Sequence, residues 1–259
     1  QMAFGFRHAC ARHGDGSLWC WGNNESGQLG RGDLIPDNKP AAVPGLKSVA
    51  QVAVGESHSC ALSGGKAKCW GRNDRGQLGS GSSTKELMTP NWSPRLVRGV
   101  HQPEALTGVN QLAALTLGPL HTCVNQAGKE HCWGLRAFPL PPGVAKADKG
   151  SKPAAPKYPR SLSPRVVTKL DKARQLSCGD HHCCALREGG RVHCWGGNDA
   201  QQLGDGTAKD RFSAVAVAGV ESAVSIHAGA RFTCARTADK GVVCWGANEF
   251  GQLGRGSVK

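Results

Sequence analysis

Five times along this 259-residue chain a cysteine is followed nine or ten residues later by Cys-Trp-Gly. The pairs are Cys10 with Cys20, Cys60 with Cys69, Cys123 with Cys132, Cys184 with Cys194, and Cys234 with Cys244. A motif recurring at this interval is the signature of a structural unit stacked on copies of itself. The second copy shows how the unit is built. Short apolar runs, Val49–Val54, His58–Leu62 and Ala67–Gly71, are bounded by Gly, Ser and Asn, a strand-turn-strand pattern. A two-residue Gly64-Gly65 loop suits a turn whose central residues both need positive φ. Counting outward from it sets Ser63 against Lys66, Leu62 against Ala67, Ala61 against Lys68, and Cys60 against Cys69.

The third copy gives the same register about Ala127-Gly128, and Cys123 meets Cys132. The other three copies hold one residue more between their cysteines. Three-residue loops, Gly14-Asp15-Gly16, Glu188-Gly189-Gly190 and Ala238-Asp239-Lys240, restore the opposition. Loop length and cysteine spacing change together in every copy. Opposed residues at a non-hydrogen-bonded site lie ~4.5 Å apart at Cα, at the short end of disulfide geometry. The pattern predicts five cross-strand disulfides, one per hairpin. Zinc prefers close Cys-x-x-Cys pairs converging on one ion, whereas each pair here sits on its own repeat. Cys178 and Cys183 stand outside the pattern around Gly179-Asp180-His181-His182, and read as an extra local disulfide, with metal binding as the alternative.

Trp21, Trp70, Trp133, Trp195 and Trp245 follow the second cysteines and so point to the opposite sheet face, where a large ring can fill the space between sheets. Four copies then carry an Asn…Gln-Leu-Gly loop, beginning at Asn24, Asn73, Asn198 and Asn248. Its variable tips, Glu25, Ser26, Asp74, Arg75, Asp199, Ala200, Glu249 and Phe250, are the candidate binding positions on a rigid frame. The third copy replaces this loop with Gly134–Pro142, and a Pro/Lys-rich insertion at about 135–162 follows. A further extra segment runs from 86 to 103.

Gly-x-x-His-x-Cys-Ala-Leu, then Cys-Trp-Gly-x-Asn, then Gly-Gln-Leu-Gly-x-Gly, resembles the RCC1-type repeat (regulator of chromosome condensation 1). The resemblance implies an all-β fold: a β-propeller domain over 1–259 with about four strands per blade. Such rings usually have seven blades, and five repeats are visible here. The chain starts and stops in mid-repeat, and is expected to be part of a longer propeller. A compact five-bladed ring, or closure by a partner chain, is the alternative. Members include a nuclear exchange factor for a small GTPase, bacterial β-lactamase inhibitors and secreted bacterial proteins. The cysteine pairs look most like the secreted bacterial branch.

Paired cysteines point to an oxidising compartment, so secreted, periplasmic or cell-surface, and make the nuclear nucleotide-exchange role the least favoured. No stretch approaches the ~20 apolar residues of a membrane span, and residues 1–8 lack the features of a signal peptide. The chain carries a net charge of +13. Between 146 and 174 nine basic residues face only Asp148 and Asp171. Lys146, Lys149, Lys152, Lys157 and Arg160 are the candidate anion-binding residues, with a merely solubilising run as the plainer reading.

His8, His58, His121 and His182 share one repeat position and fall on separate blades. Each is expected to hold a backbone group rather than a metal. Arg31-Gly32-Asp33 spells an integrin tripeptide at a position other copies fill differently. Asn24-Glu25-Ser26 and Asn91-Trp92-Ser93 are glycosylation sequons. No catalytic triad, phosphate loop, paired carboxylates or haem-attachment motif occurs, and no cofactor is expected. The expected function is a non-catalytic binding propeller for a protein or anionic polymer. A structural subunit of a cell-surface assembly, or an enzyme acting on an acidic glycan, are the rivals.

Overall fold

A computed structural model describes residues 1–79, 91–96, 115–126, 128–135 and 160–257, with the backbone alone at 91–96 and 160–164. The described residues form five antiparallel sheets in chain order. Blade 1 comprises β1 (Met2–Phe4), β2 (His8–Arg12), β3 (Leu18–Gly22) and β4 (Asp37–Ala42). Blade 2 comprises β5 (Val49–Val54), β6 (His58–Ser63), β7 (Lys66–Gly71) and β8 (Asn91–Leu96). Blade 3 comprises β9 (Leu115–Leu117), β10 (His121–Gln126), β11 (Lys129–Leu135) and β12 (Arg160–Val166). Blade 4 comprises β13 (Ala173–Cys178), β14 (His182–Arg187), β15 (Val192–Gly196) and β16 (Arg211–Ala216). Blade 5 has three strands, β17 (Ala223–Ala228), β18 (Phe232–Thr237) and β19 (Val242–Gly246).

The hairpin registers are those the loop lengths dictate. Cys60 faces Cys69 and Ser63 faces Lys66; Cys123 faces Cys132 and Gln126 faces Lys129. In blades 1, 4 and 5 the chain closes the turn one residue wider, through His13 N to Ser17 O, Arg187 N to Arg191 O and Thr237 N to Gly241 O. All twelve cysteines are joined in disulfides, with Cα–Cα separations of 4.1 Å in the five hairpins. Cys178 and Cys183 form the sixth, across β13 and β14 rather than across a hairpin.

Each third strand shifts register at its Trp, between Cys69 and Gly71 in blade 2 and at the matching place in blades 1, 3 and 4. Glycine is required at the end of this bulge. Gly71 has φ +99°, and a methyl group there would lie 2.7 Å from the Ser57 carbonyl oxygen.

The core lies between blades. Trp70 packs with Cys10, Leu18 and Leu29 of blade 1, and Trp133 packs with Cys60, Leu62 and Leu78 of blade 2. Trp195 packs with Cys123 and Cys132 of blade 3, and Trp245 with Leu203 of blade 4. The innermost strands touch in sequence, β1 on β5, β5 on β9, β9 on β13 and β13 on β17. Residues 136–159, with Lys146, Lys149, Lys152 and Lys157 of the basic run, lie outside the described residues. Leu135 and Arg160 on either side belong to β11 and β12, so the ends of the expected insertion are blade strands. Part of the second extra segment is likewise a strand, β8.

Candidate functional site

In each blade β2-type strands run against both neighbours, so the first and third strands point the same way. The turn after the first strand and the loop after the third therefore emerge at one end of the propeller. At that end a cavity of roughly 620 Å³ is lined by five equivalent segments. They are Phe4-Gly5-Phe6, Val54-Gly55-Glu56, Leu117-Gly118-Pro119-Leu120, Cys178-Gly179-Asp180-His181 and Ala228-Gly229-Ala230. The glycine recurs in all five, while the residues beside it do not. Phe4 and Phe6 are 70% and 77% exposed.

The Asn…Gln-Leu-Gly loops leave the blades at this same end, and their repeated residues brace them internally. Asn24 Oδ1 accepts from Leu29 N at 2.9 Å, as Asn73, Asn198 and Asn248 do for Leu78, Leu203 and Leu253. Gln28 Oε1 accepts from Ser26 N at 2.9 Å, and Gln77, Gln202 and Gln252 repeat the contact. The tips are left outward: Glu25, Arg75, Asp199 and Glu249 are exposed, and Phe250 is 88% exposed. Ser26, Asp74 and Ala200 are half-buried. Arg231 reaches Asp199 at 3.1 Å and Glu249 at 3.5 Å, so tips of blades 4 and 5 are bridged by a residue of the cavity turn.

The histidines are held differently from the sequence expectation. Their Nε2 atoms meet a side chain of the next blade, not a backbone group. His8 meets Ser59 Oγ at 2.8 Å, His58 meets Thr122 Oγ1 at 3.1 Å, and His182 meets Thr233 Oγ1 at 2.7 Å. Each hydroxyl spends its own hydrogen on a backbone carbonyl, Gln28, Gln77 or Gln202. The imidazole must then be the donor, which assigns Nε2–H and leaves Nδ1 bare. The same carbonyls accept the indole N–H of Trp70, Trp133 and Trp245 at 2.8–2.9 Å. Burial holds His58 and His182 down to about 3, and His8 and His121 to about 4, so these rings are neutral at physiological pH.

These blade-to-blade partners were missed because each hydroxyl and its histidine lie on different blades, far apart in the chain. A signal was present, since the position after the histidine is Ser59, Thr122 or Thr233 (the last after Phe232). A second tie was also missed. Gln51 clamps the backbone of Leu115, accepting at 3.0 Å and donating at 3.1 Å, and Gln175 does the same to Ile226.

Three further motifs are absorbed by structure. Arg31 is bound to Asp37 at 2.6 Å and Asp33 accepts from Asn24 Nδ2 at 2.7 Å, so the tripeptide's charges are engaged within the loop. The Arg31 guanidinium holds the Asp37 carboxyl below the usual carboxylate range. Asn24 is fully buried, which removes that sequon from glycosylation in the folded chain. His121 Nε2 and the sulfurs of Cys178 and Cys183 lie within 4.8 Å of one another, the one such group of three potential metal ligands among the described residues. Both sulfurs are in a disulfide and offer no thiolate to a metal. Among the described residues no helix is long and apolar enough to cross a membrane.

Comparison with known proteins follows the repeats. The regulator of chromosome condensation (RCC1) repeat matches residues 15–62 and 189–236, and a second form of the same repeat matches 1–28, 49–77, 173–202 and 223–252. Protein pim1 of Schizosaccharomyces pombe is 29% identical over 219 residues, covering 80% of this chain and 38% of its own. The ultraviolet-B receptor UVR8 of Arabidopsis thaliana is 28% identical over 216 residues, 82% of this chain and 44% of its own. Prp20p of Saccharomyces cerevisiae superposes with a TM-score of 0.72 at 26% identity, over 92% of this chain and 55% of that one. This chain thus spans about two fifths of the two curated relatives.

Proposed function

The chain belongs to the regulator of chromosome condensation (RCC1) repeat family, and from that premise we propose that it is a non-catalytic propeller that binds a protein segment at its cavity end. One observation carries this reading. Five turns with unlike side chains converge on a single cavity of roughly 620 Å³, and the variable loops leave the blades at the same end. Among the described residues the repeated histidines, hydroxyls and tryptophans hold blades together. A rigid frame with variable, mixed-polarity loops at one end is the arrangement in which binding residues concentrate.

The chemistry of that end favours a protein over an anionic polymer. Glu56 and Asp180 stand at the cavity wall, and the tips carry Glu25, Asp74, Asp199 and Glu249 beside Arg75 and Arg231. Charges of both signs flank exposed Phe4, Phe6 and Phe250, which suits a partner presenting apolar anchors and a polar rim. Protein binding is also known of Prp20p, which binds Gsp1p and histones. The five hairpin disulfides act as staples for this frame, and their number supports an oxidising compartment, secreted or at the cell surface.

Panning a displayed peptide library on the oxidised chain tests the reading. Enriched peptides should lose binding at least tenfold when Phe6→Ser is combined with Glu56→Lys and Asp180→Lys, and keep it when Lys66→Glu alters a hairpin at the far end. Binding that survives the first set, or is lost with the second, rejects the cavity end as the interface.

A further inference from the structure

Of the four interfaces between consecutive blades, three carry the chain from histidine to hydroxyl to Gln carbonyl to indole. The interface between blades 3 and 4 does not. Blade 3 lacks the Gln-Leu-Gly loop, and the buried Trp195 Nε1 has no acceptor among the described residues. At the hydroxyl position stands Cys183. Its Sγ lies 3.1 Å from His121 Nε2 and 3.6 Å from Cys123 Sγ, while Cys178 Sγ lies 3.8 Å from Cys123 Sγ. Two disulfides, Cys123–Cys132 and Cys178–Cys183, therefore touch through three of their sulfurs. Cys123 and Cys183 are fully buried, but Cys178 is half-buried and lines the central cavity.

We propose that Cys178–Cys183 is a thiol-exchange site opening onto the central cavity, which takes a small thiol as reactant and hands its opened bond on to Cys123. A thiolate in the cavity meets Cys178 first. It forms a new S–S bond to Cys178 Sγ, the Cys178–Cys183 bond breaks, and Cys183 leaves as the thiolate. The leaving sulfur is the one that faces His121. A disulfide sulfur carries no hydrogen, so His121 Nε2–H is the donor in that contact. The same N–H stabilises the departing thiolate without a proton changing place.

Cys183 then has two electrophiles in reach. Return to Cys178 expels the small thiol and restores the starting state. Attack on Cys123 Sγ forms Cys123–Cys183, breaks Cys123–Cys132 and releases Cys132 as thiolate. Each step exchanges one S–S bond for another, and the incoming thiol is the sole co-reactant. The product joins blades 3 and 4 covalently, where the polar chain found at the other interfaces is missing. Cys234–Cys244 is half-buried too, and no second disulfide touches it among the described residues, so it serves as an internal control.

The test treats the oxidised full chain with limiting reduced glutathione under native conditions, then traps thiols with N-ethylmaleimide and maps the peptides. Glutathione on Cys178, maleimide on Cys132 and a Cys123–Cys183 cross-link are expected together. His121→Phe, which copies the Phe232 found at the same position of blade 5, should slow cross-link formation ~10-fold, as loss of a charge-assisted hydrogen bond would. Cys178→Ser with Cys183→Thr, which rebuilds the hydroxyl of the other interfaces, should take up no glutathione in blade 4. Absence of glutathione from Cys178, labelling there without the Cys123–Cys183 link, or a rate unchanged in His121→Phe would each overturn the proposal.

Discussion

His58 Nε2 lies 3.1 Å from Thr122 Oγ1, across the boundary between blades 2 and 3 and away from its own sheet. The histidine of one blade is thus locked by the residue after the histidine of the next. The Gln77 carbonyl accepts from both Thr122 and Trp133, so two groups of blade 3 meet at one oxygen of blade 2. Cohesion between blades is therefore polar and directional as well as apolar.

Acid should loosen these joints. Burial depresses His8, His58, His121 and His182 below the unfolded value near 6.5, so folding favours the neutral rings. Their contribution is complete above pH 6.5 and declines as the pH falls toward 4 for His8 and His121, and toward 3 for His58 and His182. Each histidine should cost about 2 kcal/mol between pH 7.5 and pH 5, at ~1.4 kcal/mol per pH unit below 6.5. Urea midpoints under non-reducing conditions at the two pH values measure this, and His58→Gln should lessen the difference by that amount. A variant with an unchanged pH dependence would refute the assignment.

What was legible in the sequence was whatever repeats through backbone geometry. A two-residue loop forces one register and a three-residue loop another, so the opposition of Cys60 to Cys69 could be read from spacing alone. The Trp face followed from strand alternation. Contacts between blades were not legible, because nothing local to His58 says that its partner is Thr122, 64 residues away. The cavity escaped for the same reason. Gly5, Gly55, Gly118, Gly179 and Gly229 repeat in the sequence, but only the packing of blades brings their neighbours to one place.

Trp133 and Trp195 occupy the same position and are both fully buried, yet among the described residues only Trp133 has an acceptor for its indole N–H, the Gln77 carbonyl at 2.8 Å. Replacing either with Phe removes similar volume. Trp133→Phe also forfeits a hydrogen bond, while Trp195→Phe relieves an unmet donor. The first should be more destabilising than the second by ~2 kcal/mol. Equal losses in denaturant unfolding would mean that Trp195 finds an acceptor in solution.

Two glycines of blade 2 separate backbone strain from steric exclusion. Gly64 has φ +58° in an open turn with nothing within 4 Å of an added methyl, so Gly64→Ala should cost only the left-handed penalty, ~1 kcal/mol. At Gly71 the methyl would also meet the Ser57 carbonyl oxygen at 2.7 Å and His58 Cα at 2.9 Å. Gly71→Ala should cost more than ~3 kcal/mol and disturb the histidine joint with it. Comparable midpoints for the two variants would contradict this account of the bulge.

Glu130 gives the sharpest contrast with pH. It is fully buried in β11, where Oε1 accepts from Asn125 Nδ2 at 2.6 Å and from Ala173 N of blade 4 at 3.1 Å, while Oε2 has no partner among the described residues. Burial pushes its carboxyl above the ordinary value. Folding then favours the protonated form, and the group's contribution is complete at low pH and lost as the pH rises through the folded value. Glu130→Gln keeps the accepting oxygen and removes the charge, so it should stabilise the chain by about 1–2 kcal/mol at pH 7.5 and by little at pH 4. Glu130→Ala strands two buried donors, Asn125 Nδ2 and Ala173 N, and should destabilise at both pH values by about 1–3 kcal/mol. Paired unfolding curves of the two variants decide the matter. A glutamine variant less stable than the parent at pH 7.5 would show that the buried carboxylate binds blades 3 and 4 as an ion.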